Sequence, residues 1–222
     1  MPEAAPRHPV WVRLSHWVGA GAFLALVVSG TAILLALPRL FWGETGANDA
    51  PAWIVLPLPV NLEQTGWGRN LHFLAAWIFV LNGFVYLAAA LLGGRLRRRL
   101  LPERDQLRPG SVAAEVRAHL ALRGPGPGRR YNLLQKLAYL GVLLVLAPAM
   151  LLSGLTMSPG VTAAYPELFT LFGGRQSART IHFLAACGLV LFLLVHLWQV
   201  LANGPARLMR GMTVGRSRTE ET

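Results

Sequence analysis

Four of the six histidines in this 222-residue chain, His16, His72, His182 and His196, stand inside or at the edge of long apolar runs. An ionisable side chain at membrane depth is costly and ordinarily faces the protein interior for a purpose. One such histidine could serve a cross-helix hydrogen bond. Four of them, with none in the third apolar run, point to cofactor ligation. His182 and His196 are 14 residues apart, which on an α-helix is four turns less roughly 40°, so they share a face and lie about 21 Å apart along the axis. One therefore stands near each membrane surface. A haem iron held by two imidazoles needs a second histidine at the same depth on another helix, and chain direction assigns it. The first run enters from one face with His16 leading, and the second enters from the opposite face with His72 leading. The expected pairs are His72 with His182 and His16 with His196, two haems stacked across the bilayer. Bis-histidine ligation closes both axial positions, so the chemistry implied is electron transfer rather than oxygen binding at iron.

The elements that must position these residues follow from composition. The chain is 54% hydrophobic and 14% charged, unlike soluble domains, where about a quarter of residues are charged. Hydrocarbon roughly 30 Å thick needs about 20 apolar helical residues to cross it. Four runs qualify: 14–37, 71–92, 137–157 and 181–202. The expected fold is an all-α, integral membrane four-helix bundle forming a single domain over 1–222, in the bacterial cell inner membrane. The first run is too long for a secretory signal and lacks a cleavage region after it, so it is expected to remain attached. Cys187 has no possible disulfide partner, because it is the one cysteine in the sequence. No internal repeat or low-complexity segment is evident.

The formal net charge of +11 would suggest nucleic acid only if it formed a soluble patch, whereas here the charge sorts by side. The amino terminus, the loop between the second and third runs and the carboxyl terminus hold 17 of the 21 Lys and Arg residues, which makes that face and both termini cytoplasmic by the positive-inside rule. The basic loop 95–130 contains ten arginines and three acidic residues, and 111–122 is expected to form a short surface helix near anionic headgroups. The opposite face carries the segments 38–69, with Trp42, Trp53 and Trp67 at interface depth, and 158–179. Either could dock a soluble partner. His8 and His119 lie outside the runs and read as solvent-exposed.

Two regularities accompany the ligands. Arg13, Arg69 and Arg179 each precede a histidine by three residues, placing a guanidinium on the ligand's face one turn nearer the surface, where haem propionates need cations. Arginines snorkelling at helix ends are the plainer account. Gly30 lies 14 residues after His16 and Gly83 lies 11 after His72, each near its helix's ligand face at the depth of the other haem. A flat porphyrin face needs little bulk there, although small residues also serve helix packing.

The stretches His8-Pro-Val-Trp-Val-Arg-Leu-Ser-His16-Trp17, Arg69-Asn-Leu-His72, Tyr131-Asn-Leu-Leu-Gln-Lys136 and Gly173-Gly-Arg-Gln-Ser-Ala-Arg-Thr-Ile-His182, with His196 beyond, cover nearly the whole chain. Together they resemble the bacterial di-haem cytochrome b family that includes membrane subunits of nickel-iron hydrogenase, formate dehydrogenase and thiosulfate reductase. The segments 156–160 and 173–180 look most like the thiosulfate-reductase-like branch. The resemblance implies two haem b groups, ligands on the first, second and fourth spans, and a cytoplasmic-side quinone site. Asn132 is the position it carries over as a quinone contact, beside Gln135 and Lys136, and Leu134 stands where some relatives have glycine. It also implies electron relay between the quinone pool and a periplasmic oxidoreductase, commonly one containing molybdopterin.

The chain has no cysteine-rich cluster motif, nucleotide-binding glycine loop or catalytic carboxylate pair, so the electron-transfer reading leaves substrate chemistry other than at quinone to a partner. Two alternatives stand beside it. One is a self-sufficient oxidoreductase that meets a small redox substrate, such as superoxide, at the outer haem. The other is a non-haem transporter or anchor in which the histidines form a proton relay or metal path, with Pro148 kinking the third span.

Overall fold

A computed structural model describes residues 8–44, 50–93, 101–102, 106, 108–120, 133–202 and 204–215. Four helices are long and apolar enough to cross a membrane: α1 (Val10–Ala36), α2 (Thr65–Leu92), α4 (Leu133–Thr156) and α7 (Arg175–Ala202). Between them lie α3 (Pro109–Leu120), α5 (Pro159–Ala164) and α6 (Glu167–Phe172), and α8 (Pro205–Thr213) follows α7. A minimal two-stranded ribbon, Arg39–Leu40 with Ile54–Val55, sits in the connection between α1 and α2. Helices dominate because lipid offers nothing to bond a backbone N–H or C=O, so each spanning segment must satisfy its own.

Each spanning helix begins four to six residues before the charge-free run inside it. The added turn holds polar residues, and in α1, α2 and α7 it includes Arg13, Arg69 and Arg179. The helical backbone continues beyond the hydrocarbon edge because long cationic side chains reach back to water from there. In α4, the residues Val142–Leu146 form a π-helical turn, and the Ala147 N–H reaches the Val142 carbonyl. Pro148 follows directly and has no N–H to give the preceding turn. The wider turn absorbs that missing bond, which is the local form the proline-induced distortion takes.

Two compact units make up the fold. The first comprises 1–39, 54–89 and 190–222. Within it α1 and α2 approach closely where Gly68 lies over Ala32 and the Ser29 carbonyl; a Cβ on Gly68 would sit 3.2 Å from that of Ala32. Near the other end of the same helix pair, the Asn82 amide donates to the Ser15 carbonyl at 2.9 Å. Small residues let backbones approach where no hydrophobic force separates protein from lipid. The segment after α1 folds back on the helix end, with Leu56 N–H bonded to Pro38 O and Asn61 N–H to Leu35 O. The carboxyl-terminal helix α8 is tied to α1, since Arg13 Nη1 donates to the Thr213 carbonyl at 2.6 Å and Trp17 Nε1 to the Met212 carbonyl at 3.1 Å. These donors satisfy last-turn carbonyls that a helix cannot pair internally.

The second unit comprises 40–53 and 90–189. Here the loop at 41–43 caps the start of α7. The Gly43 carbonyl accepts from Gln176 and Ser177 N–H, Gly43 N–H donates to Ser177 Oγ at 2.7 Å, and Thr180 Oγ1 donates to the Phe41 carbonyl at 2.7 Å. Trp42 and Trp53 stack with ring centres 4.8 Å apart. Gly174, immediately before α7, has φ of 112°, and a Cβ there would lie 2.5 Å from the Gly43 carbonyl. Gly174→Ala therefore combines a left-handed backbone with a backbone clash. A loss of about 1–3 kcal/mol is expected, read as a lowered thermal midpoint of the detergent-solubilised protein.

The basic loop after α2 is anchored to α4 in this unit. Lys136 is buried, and its ammonium donates to Gln106 Oε1 at 2.8 Å and to the Leu101 carbonyl at 3.3 Å. The short helix expected over 111–122 is α3, which starts two residues earlier at Pro109. Asn132 lies outside the described residues.

Candidate functional site

The ligand candidates are held by different devices at the two depths. In the first unit, His16 of α1 and His196 of α7 face one another with ring centres 6.3 Å apart and planes 62° from parallel. Two imidazoles on opposite sides of one metal, each nitrogen about 2 Å from it, place their ring centres about 6 Å apart. The observed separation accommodates an iron between the rings. Trp17 closes one side, edge-on to His16 at 5.3 Å.

His72 belongs to the first unit as well, on α2. Its Nδ1 lies 3.0 Å from Ser29 Oγ. The Ser29 hydroxyl already donates its proton along α1, to the Ala25 carbonyl at 2.6 Å. A hydroxyl has one proton, so toward His72 it can only accept, and the imidazole must carry its proton on Nδ1. Nε2 is left with its lone pair, the form a metal binds. Gly30 completes the cradle, since a Cβ there would sit 3.5 Å from His72 Cε1.

In the second unit His182 of α7 meets the same arrangement on α4. Its Nδ1 is 3.1 Å from Ser153 Oγ and 3.1 Å from the Met150 carbonyl, while the Ser153 hydroxyl donates to the Ala149 carbonyl. A carbonyl only accepts, so this ring too is protonated at Nδ1 and presents Nε2. A Cβ on Gly154 would lie 3.4 Å from His182 Cε1. Neither Ser29, Ser153 nor Gly154 stands out by residue type. The available signal was the dipeptide Ser-Gly at 29–30 and again at 153–154, each in the second half of an apolar run.

The segments after these cradles are repeated, contrary to the expectation of a chain without repeats. Arg69-Asn-Leu-His72-Phe-Leu-Ala-Ala-Trp-Ile-Phe-Val-Leu81 and Arg179-Thr-Ile-His182-Phe-Leu-Ala-Ala-Cys-Gly-Leu-Val-Leu191 share eight of 13 residues. The serine-to-histidine separations differ, 43 positions against 29, so cradle and ligand segment do not recur together at one period.

The remaining candidates are placed as follows. Arg179 is half-buried one turn before His182, and Arg69 is exposed one turn before His72. Arg13 stands one turn before His16, with one guanidinium nitrogen engaged by the end of α8. Gly30 lies against the His72 imidazole, and an added Cβ at Gly83 meets no atom within 4 Å. His8 is half-buried before α1. Among the described residues no group of three or more His, Cys, Asp and Glu side chains could hold a bare metal ion. Histidines taken two at a time suit a metal whose other ligands come with it, which is what a porphyrin provides.

An all-α integral membrane helical bundle whose histidines meet ring to ring or lie in matched serine–glycine cradles defines a membrane cytochrome of the b type. The chain belongs to the prokaryotic cytochrome b561 family, whose match runs over residues 7–215. It is a multi-pass protein of the cell inner membrane and a haem b protein of electron transport. It is also similar to the putative protein-methionine-sulfoxide reductase subunit YedZ1 of Azospira oryzae, with 31% identity over 199 residues that cover 87% of this chain and 89% of the relative. The resemblance to bacterial membrane cytochrome b subunits is thereby borne out at the level of the family.

Proposed function

We propose that this protein is a di-haem electron-transfer subunit that connects the quinone pool to a periplasmic oxidoreductase. Bound haems would supply one-electron chemistry, and two imidazoles for each iron would suit it to electron transfer. His16 and His196 hold the inner group and His72 and His182 the outer one. The approach of His16 to His196 at 6.3 Å is the observation that carries this reading. Arg69 and Arg179 serve the outer propionates and Arg13 the inner ones, with both termini cytoplasmic. Asn132 contacts quinone near the start of α4, where buried Lys136 fixes the adjoining loop.

The similarity to a putative methionine-sulfoxide reductase subunit makes a reductase of oxidised methionine the favoured partner. The cytochrome b resemblance favours a molybdopterin enzyme for that role. The outer loop with its stacked Trp42 and Trp53 offers the partner a rigid aromatic seat.

The test is a reduced-minus-oxidised visible spectrum of detergent-purified protein with a haem-to-protein ratio, followed by reduction with a quinol and reoxidation by the purified partner. A ratio of two with quinol-dependent reduction is expected. A colourless protein would end the haem reading, and reduction by superoxide or another small reductant without quinol would favour a self-sufficient oxidoreductase.

A further inference from the structure

We infer that Ser29 and Ser153 are matched positioning residues that set the donor strength of His72 and His182, and through them the reduction potential of the outer haem. The inference rests on the two-haem reading. Its basis is the repeated cradle. In each unit a buried serine on the preceding spanning helix gives its own proton to a carbonyl four residues back and accepts from the histidine Nδ1–H, which in His182 is shared with the Met150 carbonyl at the same distance of 3.1 Å. The glycine that follows each serine lies in ordinary contact with the ring's Cε1 edge, at 3.5 Å and 3.4 Å from an added Cβ. The serine hydrogen bond and the glycine contact together restrict the rotation of each imidazole.

The electronic consequence follows from the direction of the hydrogen bond. An imidazole that donates Nδ1–H to oxygen gains electron density at Nε2 and becomes a stronger base toward metal. A stronger anionic-leaning donor favours ferric over ferrous iron, so the two serines hold the potential of their haem down. A serine whose hydroxyl is already polarised by donating to a backbone carbonyl is a better acceptor than a free one, because hydrogen bonds in a chain reinforce each other at low dielectric. Ser29 and Ser153 are both fully buried, which keeps water from substituting for them.

The inner ligands lack this device. The positions that the repeat pairs with His196 and, counting from the serines, with His16 are Tyr86 and Leu140. Among the described residues no serine hydroxyl is bonded to either inner ring. The repeated cradle thus holds His72 and His182 and neither of the inner ligands. Ser29 and Ser153 should act on one haem together and leave the other alone.

The experiment is a spectroelectrochemical titration of holo-protein, with the low-spin ferric resonance spectrum recorded for each variant. Ser29→Ala and Ser153→Ala are each expected to raise the midpoint of the same haem, by similar amounts that add in the double variant. Ser29→Thr and Ser153→Thr, which keep the hydroxyl, should return it toward the wild-type value. Loss of that haem in an alanine variant with recovery in the threonine variant also supports the assignment. Two bound haems with unmoved midpoints, shifts in different haems, or haem loss in alanine and threonine variants alike would overturn it. A wild-type ratio below two would overturn the two-haem reading and this inference with it, whereas a ratio of two with inert serines overturns this inference alone.

Discussion

His72→Ala and His182→Ala are expected to remove the same haem, lowering the haem-to-protein ratio from two to one, while His16→Ala and His196→Ala remove the other. Removing outer-shell partners of metal ligands typically costs 10–100-fold in affinity, and removing the ligand itself should cost on the order of 100-fold or more. Each single variant should therefore retain the spectrum of one haem and lose the other, and the four spectra should fall into two sets. Every set should also interrupt electron transfer from quinol to an outer acceptor, because a relay with one centre missing must bridge most of the roughly 21 Å that separates His182 from His196 along α7. His16 and His196 face each other within one unit at 6.3 Å, whereas the pairing of His72 with His182 rests on equal depth and on their repeated surroundings. Loss of the same haem in His72→Ala and His196→Ala would refute the pairing. The measurement is a pyridine haemochrome count beside the protein concentration.

The second large effect is steric. Gly30→Val and Gly154→Val should each cost most of the outer haem, while the alanine variants keep it. A Cβ at these positions reaches ordinary contact distance from Cε1 of His72 and His182, so alanine fits with at most a small adjustment. Valine adds two methyl groups with little χ1 freedom, and at least one must press on the imidazole edge or the helix behind it. Overpacking of this kind typically costs about 1–3 kcal/mol, and here the ring has nowhere to retreat without giving up its serine. A fall of roughly ten- to a hundredfold in haem retention is expected for valine on the scale of other outer-shell lesions. Retention of two haems in both valine variants would show that the cradle is loose.

The histidine positions were legible because lipid makes an ionisable group rare, so each one present in an apolar run carries weight, and because a helix converts sequence separation into depth. The same rule found the four spans from their charge-free runs. It placed their starts four to six residues late, since the rule counts hydrocarbon and the helix extends into the interface. The triplet spacing of Arg13, Arg69 and Arg179 was legible for the same reason, but what Arg13 reaches was not, because its partner Thr213 is 200 residues away.

What the sequence alone determined is the class of protein: four apolar spans, three of them carrying histidine, which follow from local helix geometry and the cost of charge in lipid. What only the tertiary structure decided is how each imidazole is held. The proton on Nδ1 of His72 follows from a serine 43 positions away whose own proton is already committed to its helix, and the matching bond to His182 comes from a serine 29 positions away. Serine and glycine in an apolar run are ordinary by type, and they gain meaning only when another helix brings a ring against them. Hydrogen-bond direction depends on three groups meeting in space, and sequence spacing encodes no more than one helix at a time.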